Sequence, residues 1–134
     1  MKSRFKQLNL FKVTDTEERK RLLERRKEIE KMLLREPDNP DYHIMYAAGM
    51  LLLGEYTKAE IAITKALLLC ESFLGYAILG DVFMAQEKFQ EAEISYKKAL
   101  AVVTEEDKIT NADFIYKIKH NLSILRSLIT NGSE

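Results

Sequence analysis

The sequence predicts an all-α protein built from short antiparallel helical hairpins, and three observations predict it. Helix breakers are scarce, with two prolines and five glycines among 134 residues, while Ala, Leu, Glu and Lys recur at helical spacing. The breaks between apolar stretches fall at Gly54-Glu55, Glu71-Ser72 and Glu87-Lys88, and connections this short make consecutive helices lie side by side and antiparallel. Residues 40–72 also superpose on residues 73–105 at an offset of thirty-three. A chain of this length fits one domain with a real core.

Residues 1–14 form a partly apolar N-terminal segment in which Phe5, Leu8, Leu10, Phe11 and Val13 are too apolar for an ordinary disordered tail, so docking is expected of it. Residues 15–36 hold a charged helix. Asp15 or Thr16 caps it, Glu17 and Glu18 suit its first turn, and Leu22, Leu23, Ile29, Met32 and Leu33 make its apolar stripe. Glu36-Pro37-Asp38-Asn39-Pro40 ends it, because proline disfavours helix at the residue before it. Helices then follow at about 40–53, 56–70, 73–86 and 89–103. After the polar connection Thr104–Lys108, a last helix over 110–131 carries Ile115, Ile118, Leu122, Leu125 and Ile129 on one stripe, with Asn131-Gly132 as its stop. That gives about six helices in all.

At the offset of thirty-three Ala59 matches Ala92, Ala66 matches Ala99, Leu67 matches Leu100, and Tyr56 matches Phe89. Small residues belong where helices cross closely, at Ala47, Gly80, Ala59 and Ala92, and large ones fill the holes between, at Tyr46, Met50, Ile63, Leu79, Phe83 and Tyr96. The run Tyr76-x-x-Leu79-Gly80-x-x-Phe83, then Ala92-x-x-x-Tyr96 and Ala99-Leu100, resembles the tetratricopeptide-repeat (TPR) pattern closely. The first copy, with His43, Tyr46, Ala47, Met50, Ala59, Ile63, Ala66 and Leu67, resembles it more loosely. Upstream, Ile29, Met32, Leu33, Leu34 and Pro37 resemble the second helix of a preceding repeat. The resemblance implies a TPR superhelix with repeats at 40–72 and 73–105, each a residue short of the usual length, flanked by N- and C-terminal helices that complete the core. The family's proline is missing near Glu71 and Thr104, which predicts unusual angles at the two joints.

The same resemblance implies a concave groove lined by the first helix of each repeat. Its groove positions fall on Asp41, Ile44, Ala48, Leu51 and Leu52 in the first repeat and on Leu74, Ala77, Asp81, Met84 and Ala85 in the second. These are mostly apolar. Ile44 and Ala48 stand where a charged clamp for chaperone tails would need Lys and Asn, so the expected partner is a helical or extended apolar segment of another protein or peptide. A second copy of the chain in the same groove, making a homo-oligomer, and a small secretion-type chaperone are alternative readings.

Other functions find less support. Residues 1–36 hold twelve Lys/Arg against seven Asp/Glu and the remainder nine against fourteen, so a basic arm leads an acidic body with no net charge overall. Within that arm Arg19, Lys20, Arg21, Arg25, Arg26 and Lys27 are interspersed with glutamates, and pairs such as Glu24–Lys27 and Glu17–Arg21 point to a solvated helix face more than to nucleic-acid binding. His43, His120 and Cys70 have no metal or haem spacing; His43 and Cys70 read as packed residues, and no nucleophile and base can be nominated, so no enzyme activity and no cofactor are expected. The lone cysteine and the lack of a long apolar run fit a cytoplasmic protein without a membrane span.

Overall fold

The computed structural model describes residues 12–132, and all of their regular structure is helical. In order these are α1 (Thr16–Arg35), α2 (Pro40–Leu52), α3 (Tyr56–Leu69), α4 (Phe73–Ala85), α5 (Phe89–Ala101), α6 (Glu105–Thr110) and α7 (Ala112–Gly132). The contacts are most extensive within the pairs α2–α3 and α4–α5, and α1 and α7 flank these two hairpins. Residues 1–11, on which most of the expected N-terminal docking segment falls, lie outside the described residues.

Three of the starts are written in a side chain. Asp15 accepts from the Glu17 N–H at 3.3 Å, Asn39 from Asp41 at 3.0 Å ahead of Pro40, and Ser72 from Gly75 at 3.0 Å. The two hairpin turns are the same turn built twice. In the first, Glu55 N–H donates to the Met50 carbonyl and Gly54 N–H to that of Leu51; in the second, Lys88 donates to Phe83 and Glu87 to Met84, all within 2.9–3.0 Å. This pair of bonds is the Schellman helix ending, which needs a left-handed residue. Gly54 supplies it at φ 81°, and Glu87, an ordinary L residue, adopts φ 59° at the equivalent place.

The small residues lie where the repeat puts them. Ala47, Ala59, Ala66, Ala92 and Ala99 are fully buried, and a Cβ on Gly80 would collide with the Tyr96 ring. Of the expected fillers Met50, Ile63 and Tyr96 are fully buried, whereas Tyr46, Leu79 and Phe83 pack on the core from its edge. On α7, Ile118 and Leu125 are buried, with Ile115, Leu122 and Ile129 half-buried beside them.

Several expectations are corrected. Thr104–Lys108 is not a plain connection: Thr104 and Asp107 cap each other's backbone N–H groups at 3.0 Å, and this capping box starts α6, giving seven helices among the described residues where about six were expected. The last helix starts at Ala112, after α6, and is described to Gly132. Cys70 is exposed, because it is the residue where α3 ends and the backbone turns extended, away from the apolar run before it. On α1 only Ile29 is buried; Leu22, Met32 and Leu33 are half-buried, and Leu23 and Leu34 face outward. Its expected Glu24–Lys27 and Glu17–Arg21 pairs are replaced by Arg26, which reaches Glu30 at 3.6 Å and Glu55 at 3.3 Å.

Candidate functional site

Helical periodicity places Ile44, Ala48 and Leu52 on one face of α2, four residues apart. Opposite them stand Leu22 and Ile29 of α1 and Leu74 and Ile78 of α4, and the space between is an apolar cavity of about 310 Å³. Phe114 and Asn111, at the junction of α6 and α7, close one side, and Arg25 and Arg26 form its polar edge. The Arg26 guanidinium is held by Glu30 and Glu55, so its charge is paired within the protein. A second opening of about 450 Å³ lies along α1, edged by Arg21, Glu24, Arg25 and Glu28, and shares Ile29 and Met45 with the first.

The ten groove positions named from the sequence are divided by the structure. Ile44, Ala48, Leu52 and Leu74 line the cavity together. Asp41 is exposed in the first turn of α2, and Ala85 is half-buried at the end of α4. Leu51, Ala77 and Met84 are buried hydrophobics, and Asp81 is buried with them, so these four offer no open surface. At Asp81 the physical reason involves α7. It brings Asn121 into the core, where its side-chain N–H donates to the Tyr96 hydroxyl at 3.3 Å, and Tyr96 in turn donates to the Asp81 carboxylate. Ala77, Asp81 and Met84 of α4 are thus part of the core.

Burial pushes the Asp81 carboxyl up to about 6, against the opposing pull of the Tyr96 hydrogen bond and of the Lys117 ammonium. The same burial, with the Asp81 charge beside it, raises Tyr96 well above the ordinary phenol range. Three helices therefore meet at one buried polar cluster, with Asp81 on α4, Tyr96 on α5 and Asn121 on α7. Sequence reasoning missed Asn121, whose signal was a polar residue between Ile118 and Leu122 on the apolar stripe of α7. It also missed Ile78 and Phe114 as cavity walls. His43 is half-buried and its Nε2 lies 2.7 Å from the Pro37 carbonyl, fastening the start of α2 to the α1–α2 connection.

Among the described residues no three His, Cys, Asp or Glu side chains come together to hold a metal ion, and no helix is long and apolar enough to cross a membrane. Compared with models of known families and with curated proteins, the chain matches none.

Proposed function

We propose that this chain is a two-repeat module of the TPR type that holds a short apolar segment of another protein, without catalysis, in the cavity between α1, α2 and α4. The TPR reading is supported by the period. Phe73 follows Pro40, and Phe89 follows Tyr56, by thirty-three residues at the starts of equivalent helices, and the turn bonds recur at the same spacing. The binding reading is carried by one observation, the apolar cavity faced by Ile44, Ala48, Leu52 and Leu74. Protein is favoured over nucleic acid as the partner, because Arg26 is tied to two glutamates and Arg25 shares its side of α1 with Glu24 and Glu28. A free, exposed Cys70 suits a reducing compartment such as the cytoplasm.

Leu74 is the residue to test. It is half-buried, faces the cavity and belongs to α4, so Leu74→Glu places a charge in the groove while the buried small-residue crossings stay as they are. Co-purification from the native host, followed by mass spectrometry, is expected to lose the wild-type partners with Leu74→Glu and to keep them with Ile61→Glu on the exposed face of α3. A helical, monodisperse Leu74→Glu protein that retains every partner overturns the reading.

A further inference from the structure

We infer that the first occupant of the cavity is the chain's own N-terminal segment, residues 5–11, laid along α2 from Leu52 toward Ile44. The inference rests on reading the cavity as a docking groove, and it names which segment that groove takes when no partner is present.

The argument starts where the described residues begin. Val13 N–H donates to the Leu52 carbonyl at 2.8 Å, and the Arg19 guanidinium donates to the carbonyls of Val13 and Leu53 at 3.1 and 3.4 Å. The Lys12 stem lies over Gly54, 3.1 Å from where a Cβ would stand. The chain is thus fastened to Leu52, a wall of the cavity, immediately after the segment in question. The residues upstream of this anchor include Phe5, Leu8, Leu10 and Phe11 and no acid.

Lengths agree with the placement. Ile44 lies eight residues from Leu52, about 12 Å along a helix at about 1.5 Å per residue. Leu8 lies five residues from Val13, a reach of about 17 Å for extended chain at about 3.3 Å per residue. The segment is therefore long enough to span the cavity with slack. A cavity of about 310 Å³ is at the small end of binding pockets and suits a few apolar side chains from a short segment better than a whole helix. Glu24 and Glu28, on the edge of the adjoining opening, are counter-charges for Lys2, Arg4 and Lys6. Because the segment is tethered beside its site, it competes at an effective concentration on the order of millimolar, and an external partner must displace it.

The test is a cross-link in the full chain, read without any partner. In a Cys70→Ser background, the pair Leu8→Cys with Ile44→Cys is oxidised with oxidised glutathione and compared with Leu8→Cys with Ile61→Cys, whose second site is the exposed outer face of α3. The inference expects a disulfide within one chain, forming at least tenfold faster for the Ile44 pair, and slowed to the control rate when Leu10→Asp and Phe11→Asp are added. Equal rates for the two pairs overturn it, and so does a disulfide formed only between copies, which would assign the segment to a second molecule. Failure here leaves the partner-binding reading standing, since that reading fails separately if Leu74→Glu keeps every wild-type partner.

Discussion

Gly80 and Glu87 carry opposite lessons about single residues. At Gly80 the Tyr96 ring occupies the space a side chain would need, so Gly80→Ala forces Tyr96, and with it the Asp81 and Asn121 hydrogen bonds, to shift. A loss of roughly 1–3 kcal/mol is expected from urea unfolding, the usual size for overpacking. At Glu87 the backbone is left-handed and the equivalent place in the first hairpin is glycine, so Glu87→Gly relieves a cost of about 1 kcal/mol and raises the melting temperature. Asp81 adds a pH signature. Its carboxyl sits at about 6 in the fold against an ordinary 3.8, so the native state binds its proton more tightly. Its contribution to stability is full below pH about 4 and lost as pH rises through about 6, a change on the order of 2–3 kcal/mol. Asp81→Asn removes that slope, and the difference between wild-type and variant stability curves from pH 4 to 7 measures it; parallel curves would sink the assignment.

Helix boundaries were legible in the sequence because each is set by local chemistry. Asn39-Pro40, Gly54-Glu55 and Ser72 act within a few residues of themselves, and the period of thirty-three needs only self-comparison. Thr104 and Asp107 were equally local but read as a polar loop, since a capping box looks like one until the backbone N–H groups are placed. Thr104→Ala is expected to cost about 1 kcal/mol and to fray α6, seen as faster amide exchange over residues 105–110. The groove was legible only in part. Of the expected positions, Ile44, Ala48, Leu52 and Leu74 line the cavity, and they lie on α2 and α4 themselves. Asp81, Ala77 and Met84 were assigned by the same family spacing, but they are buried, and Asp81 is joined through Tyr96 to Asn121 and faces the charge of Lys117, both from a distant part of the chain. That is a tertiary fact. No local pattern contains it.

Across the whole molecule the packing is uneven, and this sets how it opens. The two hairpins interlock through buried Ala, Met, Ile and Tyr, and α7 is locked onto α5 by Ile118, Leu125 and the Asn121–Tyr96 hydrogen bond. By contrast α1 buries one residue, Ile29, packs chiefly on α2, and has an open cavity along each side. Much of what fastens it is polar: Arg26 to Glu55, and Arg19 to the Val13 and Leu53 carbonyls. A helix held this way unfolds locally before the rest, since local stability follows buried apolar contact. Native-state hydrogen exchange is expected to show α1 amides exchanging at least about tenfold faster than those of α4, equivalent to about 1.4 kcal/mol less local stability. Arg26→Ala should speed α1 further and leave α4 unchanged. Protection of α1 equal to that of α4 would mean a single cooperative unit, and the cavity would then have a rigid wall. An early-opening α1 instead makes one wall of the cavity adjustable, at little cost to the hairpins behind it.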